Sequence, residues 1–420
     1  MRAAIALVAL AAACSAVAAQ DKEVLVDLKR VPMLSAVLGD VPVEGMEHDA
    51  VPDKQHGNGD HYDTSTLRLL HVMFRHGQRT PADTYPNDPY VNFNFAPVGW
   101  GQLTLNGKRD QYEQGQWMRR RYGAFLGDLY HPDVVEVHST DVARTQMSAM
   151  LSMAGLWPPA PEQRWHSSLD WQPVAVKSQS LDQDDLLLVR VPCARYGEML
   201  EEVMQSPPVV SLLKENEPLL HYLTEKTGMK IATPDDVQSL YSTLKAEEGF
   251  NLALPDWTNG TVYPDALTQL TALSFEINVM TREMQRIKGG PLVKTVLQHS
   301  VDRANGKLKA ERRMYAYAGH DSTVANFLIA MGAWDTQIPG YGILALVELH
   351  EDPISHEYGV KMFLRNSTEV PPYPLHIQGC GHFCPLDKLV QLTADVVPDT
   401  LQRACVPKDP NYTPPPASGP

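Results

Sequence analysis

Residues 67–81, LRLLHVMFRHGQRTP, decide the fold. A mainly apolar run over 67–74 ends in a turn that carries Arg75, His76 and Arg79. A short apolar run bounded by turn residues is typical of a buried strand, and ligands bind at the carboxyl ends of strands in open α/β sheets. The stretch therefore predicts an α/β core with a cationic site at one edge of its sheet.

Two further segments, 133–141 and 312–323, repeat this design. In each, an apolar or β-branched run ends in residues that cap helices, and a helical pattern follows. Helix N-termini present free N–H groups and partial positive charge, which favour anions. We expect the three junctions to converge on one anion through these residues: Arg75, His76, Arg79, Arg144, His320 and Asp321.

The composition limits the function. The chain has 420 residues, of which 43% are hydrophobic, so a sizeable core is available. Its formal net charge of −14 disfavours nucleic acids and anionic membranes as partners. A small anion is compatible with this charge, because a few cations in one cleft create a local positive field.

The first 19 residues are typical of a secretory signal peptide: Arg2, an apolar stretch to Ala13 and small residues over 17–19. Residues 20–65 are predicted to be a polar arm, and 406–420 a flexible tail. No other segment is apolar and long enough to span a membrane. The arm contains possible metal ligands, but a solvated loop is the preferred interpretation: His56, Asp60, His61 and Asp63.

The remaining chain is predicted to form one α/β core interrupted by a helical cap. Successive amphipathic patterns fill 195–288, which we assign to the cap. The core then comprises 66–194 and 289–405, and an antiparallel strand pair over 341–366 completes a central mixed sheet flanked by helices.

Four cysteines remain after signal cleavage, and a secreted chain is expected to pair them. Sequence spacing leaves all three pairings open, and a metal site through His382 is the less favoured alternative. The cysteines are Cys193, Cys380, Cys384 and Cys405. Three glycosylation acceptor patterns begin at Asn259, Asn366 and Asn411.

A phosphate monoester suits the predicted site. Guanidinium forks bind phosphate oxygens in pairs, and clustered arginines repel one another unless an anion lies among them. The neutral imidazole of His76 can attack phosphorus, since nearby arginines lower its pKa. Asp321 can protonate the leaving oxygen, which predicts activity that falls as pH rises. Taken singly, each residue also has a structural interpretation, such as pairing of Arg144 with Asp141.

The sequence resembles the histidine acid phosphatases, in the branch of the prostatic, lysosomal and insect venom acid phosphatases. RHGQRTP matches the family's Arg-His-Gly-x-Arg-x-Pro signature, STDVARTQMSA its second arginine motif, and GHDST its histidine–aspartate motif. The resemblance extends from about Leu67 to Cys405. It implies a phosphoglycerate-mutase-like α/β core with a helical cap, a small phosphomonoester substrate, no cofactor and no metal; relatives are often homodimers.

The resemblance also implies roles for individual residues. His76 is the expected nucleophile, Asp321 the proton donor, and the phosphate ligands are Arg75, Arg79, Arg144 and His320. It implies disulfides Cys193–Cys405 and Cys380–Cys384. Gln78 and His138 depart from many relatives, which have aspartate and arginine there, and we expect both near the pocket.

These observations favour a secreted acid phosphatase, with the lysosomal lumen as the alternative location. The alternatives for function are a specialised phosphatase, such as a phytase or a steroid-phosphate or lysophospholipid phosphatase, and a non-catalytic phosphate binder. A metallophosphatase is a further alternative, which chelator resistance would exclude.

Overall fold

The computed structural model describes residues 62–414. The predicted signal peptide, almost all of the polar arm and the last six residues lie outside this range. Of the four candidate ligands in the arm, Asp63 alone lies within it, and its carboxylate accepts from the backbone N–H of Ser65 at 2.9 Å. No helix within the described range is long and apolar enough to cross a membrane.

One mixed sheet of eight strands organises the described chain, in the order β3-β2-β4-β1-β5-β6-β7, with β8 also paired to β6. The strands are β1 Leu67–Arg75, β2 Val135–Thr140, β3 Val176–Gln179, β4 Met314–Gly319, β5 Leu344–Glu351, β6 Tyr358–Arg365, β7 Tyr373–Pro374 and β8 Cys384–Pro385. β1, β4, β2 and β3 are mutually parallel, whereas β5 runs antiparallel to both of its neighbours, β1 and β6. The predicted mixed sheet is confirmed.

Helices flank this sheet on both faces, as predicted. The twelve α-helices within residues 62–414 are α1 Leu105–Leu126, α2 Ala143–Leu156, α3 Ala194–Met204, α4 Pro207–Glu215, α5 Glu217–Thr227, α6 Pro234–Gly249, α7 Leu267–Ile277, α8 Arg282–Lys288, α9 Gly290–Ala304, α10 Asp321–Ala330, α11 Leu386–Leu392 and α12 Leu401–Ala404.

The apolar side chains of β1 pack into two hydrophobic cores. Leu69 and Met73 belong to one buried cluster, with residues of α9 and α10. Leu70, Val72 and Phe74 belong to another, with residues of α1 and α2. Successive strand residues point to opposite faces, so a strand covered on both faces reads as a nearly continuous apolar run.

The chain divides into two compact units. The sheet unit comprises 62–82, 94–201 and 275–414 among the described residues, and the helical unit comprises Asp83–Phe93 and Glu202–Ser274. Within the helical unit, Asn87 donates to the carbonyl of Lys226 at 3.0 Å. The predicted domain boundaries at 195 and 288 stay a prediction.

Two disulfides close within the sheet unit, Cys193–Cys405 and Cys380–Cys384. The sequence predicts a flexible tail over 406–420, but its described part is attached to α3. The carboxylate of Glu198 accepts from the backbone N–H groups of Lys408 and Asp409, both at 2.8 Å. The hydroxyl of Tyr412 donates to Glu201 at 2.7 Å.

Candidate active site

Three neighbouring parallel strands end at the site. β4 lies between β1 and β2, and Arg75 at the end of β1 is paired with Gly319 at the end of β4. His320 then caps α10, and Arg144 lies in the first turn of α2 after β2. The three predicted junctions therefore lie side by side at one edge of the sheet, because parallel neighbours end on the same side.

The turn after β1 is tightly packed against two helices. A Cβ atom added to Gly77 would lie 2.4 Å from the carbonyl oxygen of Gly107 in α1, so a larger residue does not fit without movement. The N–H of Gly77 donates to the hydroxyl of Ser148 at 3.2 Å, and that hydroxyl donates to the carbonyl of Arg144 at 2.7 Å. These contacts fix the turn that carries His76.

The ring of His76 is buried and its orientation is fixed. Nδ1 lies 2.8 Å from the carbonyl oxygen of Gly77. A carbonyl only accepts, so Nδ1 carries the proton and Nε2 keeps a free lone pair. Burial lowers the pKa of His76 well below its usual value, and Arg75 and Arg144 lower it further. The arrangement presents a neutral imidazole nitrogen, which is the nucleophilic form.

Arg75 is held by three groups. Its guanidinium donates to the carbonyl of Pro339 at 2.6 Å and to the carboxylate of Asp321 at 2.8 Å. It also lies over the ring of Tyr341, with Cζ 4.5 Å from the ring centroid, which is a cation–π contact. Its side chain is thereby oriented before any ligand arrives.

The other two arginines have fewer acceptors. Arg79 donates to the carbonyl of Thr80 at 3.1 Å. The Nε atom of Arg144 is buried and has no hydrogen-bond partner among residues 62–414. Burial, together with the charges of Arg79 and Arg75, lowers the pKa of Arg144 to about 10. Both side chains are less than a tenth exposed, so an anion would relieve a real electrostatic cost.

Asp321 is the one carboxylate among the six predicted site residues. Burial opposes its ionisation, but the charge of Arg75 and the backbone N–H of Ser322 outweigh burial and lower its pKa. In the unliganded site Asp321 is therefore ionised at ordinary acid pH.

His320 lies beside His76, with ring centroids 5.4 Å apart. Burial lowers the pKa of His320 to about 3, and Arg144 contributes to the decrease. Both histidines are thus neutral over most of the acid range, and the site holds three guanidinium charges against one carboxylate charge.

Sequence reasoning assigned no role to Ser148, although it lies within the STDVARTQMSA segment, or to Tyr341, which lies between two glycines. No local pattern shows what either side chain contacts. The structure also gives the contacts of Gln78 and His138, the two residues that depart from many relatives. The amide oxygen of Gln78 accepts from the hydroxyl of Thr104 at 2.7 Å. The ring of His138 lies 2.8 Å from the carboxylate of Glu136 and stacks on Tyr317, contacts that involve none of the six site residues.

The described chain contains no group of three or more side chains suited to hold a metal ion. Two of the glycosylation patterns, at Asn259 and Asn411, lie on exposed residues. The third, Asn366, is half-buried: its amide donates to Gln337 at 2.7 Å and accepts from the N–H of Gly340 at 3.0 Å.

The amino-acid sequence of this chain is similar to those of several known proteins. Residues 66–343 match the model of the histidine phosphatase superfamily, branch 2. Venom acid phosphatase Acph-1 of Apis mellifera is 34% identical, over 81% of this chain and 87% of its own length. Prostatic acid phosphatase of Rattus norvegicus is 36% identical, with 81% and 89% coverage. Lysosomal acid phosphatase of Homo sapiens is 34% identical, with 81% and 80% coverage.

The fold comparison gives a separate result. The structure of Hafnia alvei phytase aligns with a TM-score of 0.61 and 17% identity, over 81% of this chain and 98% of the phytase. At this identity the likeness concerns the fold.

Proposed function

The chain belongs to the histidine phosphatase superfamily, branch 2, and we propose that it is a secreted acid phosphatase. We further propose that its reaction forms a phosphohistidine on His76. It is an enzyme that hydrolyses phosphate monoesters, like the acid phosphatases it is similar to. The identity of the reacting residues is the part that we propose.

The charge of the site is the observation that carries the proposal. Arg75, Arg79 and Arg144 converge with one carboxylate, Asp321, while the two histidines are neutral. The surplus of two buried positive charges matches the charge of a phosphate monoester dianion. Arginine forks also match the spacing of its oxygens.

The reaction we propose has two steps. Nε2 of His76 attacks phosphorus, the bond between phosphorus and the ester oxygen breaks, and Asp321 gives its proton to that oxygen. Water then attacks the phosphohistidine, Asp321 takes a proton from the water, and the nitrogen–phosphorus bond breaks to release inorganic phosphate. The arginines and His320 stabilise charge on the transferring group in both steps.

The acid optimum follows from how substrate changes Asp321. Its carboxylate is bound to Arg75 in the free site, which disfavours protonation. A bound phosphate competes for Arg75 and adds negative charge, and both effects raise the pKa of Asp321. The donor proton is therefore acquired with the substrate, most readily in acid.

The natural substrate stays open between a general phosphomonoester and a specialised one such as inositol phosphate, steroid phosphate or lysophospholipid phosphate. The secreted relatives and the exposed Asn259 and Asn411 support secretion and glycosylation. A lysosomal location is the alternative, since a lysosomal acid phosphatase is among the relatives.

Hydrolysis of p-nitrophenyl phosphate between pH 4 and 8, with EDTA present, tests the proposal. We expect chelator-resistant activity that is highest in acid and absent from His76→Ala. A folded wild-type protein without activity would favour a binder, and loss of activity in EDTA would favour a metallophosphatase.

A further inference from the structure

Two buried threonines lie behind the ring of His320. The hydroxyl oxygen of Thr140, at the end of β2, lies 3.1 Å from Nε2 of His320 and 2.7 Å from the hydroxyl oxygen of Thr145. The Thr145 hydroxyl in turn lies 2.7 Å from the carbonyl oxygen of Val142 and 3.0 Å from that of Thr140. Both threonines are at most 1% exposed, so bulk water does not compete for these hydrogen bonds.

The donors in this cluster can be counted. Each hydroxyl has one proton, and carbonyl oxygens only accept. The proton of Thr145 therefore points to a carbonyl, and its oxygen accepts from Thr140. The proton of Thr140 is then used, so toward His320 its oxygen can only accept. Any other direction would place two oxygen lone pairs against each other at 2.7 Å.

From this count we propose that Thr140 and Thr145 are positioning residues, whose hydroxyl chain holds His320 with its proton on Nε2. At the start of α10, the backbone N–H of His320 donates to the hydroxyl of Thr323 at 3.1 Å, which fixes the backbone that carries the ring.

The two histidines of the site are thereby held in opposite tautomers. The carbonyl of Gly77 keeps the proton of His76 on Nδ1 and leaves Nε2 free to attack. The threonine chain keeps the proton of His320 on Nε2, where it donates to Thr140 in the free site and can be shared with an oxygen of the transferring group in the complex, so this nitrogen does not compete as a nucleophile. The kinetic part of this inference rests on the proposed function, whereas the tautomers do not.

The tautomers can be measured directly in the intact wild-type protein. Nitrogen-15 NMR of histidine-labelled protein distinguishes Nδ1–H from Nε2–H rings, and His76→Asn and His320→Asn identify the signals by their loss. We expect the Nε2–H form for His320 and the Nδ1–H form for His76 at pH 6. An Nδ1–H ring at His320 would overturn the inference, whatever the enzyme's activity.

Substitution of the two threonines tests how their hydroxyls affect the His320 tautomer and the rate. In Thr140→Val and Thr145→Val we expect the His320 signal to become a mixture of tautomers and kcat to fall about tenfold, with a smaller change in KM, because about 1.4 kcal/mol of transition-state stabilisation is a tenfold rate. Thr140→Ser, which keeps the hydroxyl, should recover most of the rate. The matched control is Thr295→Val, whose hydroxyl bonds a carbonyl within α9.

The outcomes separate the two proposals. One outcome is that Thr140→Val keeps both kcat and the His320 tautomer while unfolding like wild type. That result would overturn the role of the two threonine hydroxyls and leave His76 as the proposed nucleophile. An active His76→Ala variant would instead overturn the proposed function, and the NMR result would still decide the tautomer of His320.

Discussion

The carboxylate of Asp321 is paired with Arg75 in the free site, yet the proposed reaction needs it as an acid. Asp321→Asn removes the transferable proton and keeps the shape. We expect a loss of kcat of about a hundredfold or more for alkyl phosphates, whose leaving oxygen needs a proton, and a much smaller loss for p-nitrophenyl phosphate. Equal losses across a series of leaving groups would contradict the role of Asp321 as general acid.

The sequence predicts much of this site because its charged residues follow apolar runs directly. Arg75 is the last residue of β1 and His320 directly follows β4, which places both at the sheet edge without any knowledge of long-range contacts. Tyr341 could not be found this way. Its contact with Arg75 depends on a loop that returns more than 260 residues later, and no local pattern encodes that return.

At the scale of elements, the turn after β1 is fitted closely against α1. Gly77→Ala would place a methyl group 2.4 Å from the backbone oxygen of Gly107. We expect a loss of about 1–3 kcal/mol in the free energy of unfolding, measured with urea, because the backbone must shift to relieve this overlap. The same shift moves His76, so kcat should also fall.

Gly260→Ala is the control for this prediction, since an added Cβ there meets no atom within 4 Å. Equal stability of the two alanine variants would show that the turn tolerates movement, and that the position of His76 does not depend on the glycine.

The sequence predicts some of the structural elements but not others. Helix periodicity and capping residues predict the helices that follow β2 and β4, whereas the segment Asp83–Phe93 carries no such signal. This segment belongs to the helical unit through contacts such as Tyr90 with the carbonyl of Ala253, at 2.6 Å. Contacts between residues so far apart in sequence follow from packing and not from periodicity.

At the scale of the whole molecule, one buried acid links stability to pH. Burial, together with the neighbouring Asp88, raises the pKa of Glu247 in the helical unit to about 8. A carboxyl whose pKa is higher in the folded state contributes stability that is complete below its unfolded pKa and is lost as pH rises through the folded value. We therefore expect the free energy of unfolding to fall between about pH 5 and 8.

Glu247→Gln should remove this dependence, because the amide does not ionise. The difference between wild type and variant should change by at least about 1.4 kcal/mol across that window, the equivalent of one pKa unit. The exposed Glu225→Gln is the control. Parallel pH profiles of wild type and Glu247→Gln would refute a raised pKa at this position.

The two disulfides should differ in their contribution to stability. Cys193–Cys405 joins residues 212 apart, whereas Cys380–Cys384 joins residues 4 apart. A longer loop loses more unfolded-state entropy, so the double serine variant of the first pair should lose about 3–5 kcal/mol, and that of the second pair clearly less. Urea unfolding of both variants checks the order, and equal losses would contradict it.

The nucleophilic role of His76 is tested directly by trapping the phosphoryl group on its ring. The enzyme is mixed with a phosphate monoester, quenched within milliseconds in base, where phosphohistidine survives, and its peptides are mapped by mass spectrometry. We expect one phosphorylated peptide, with the group on Nε2 of His76, and none in His76→Ala. Turnover of wild type without any phosphoenzyme, or a phosphoryl group on His320, would contradict that role.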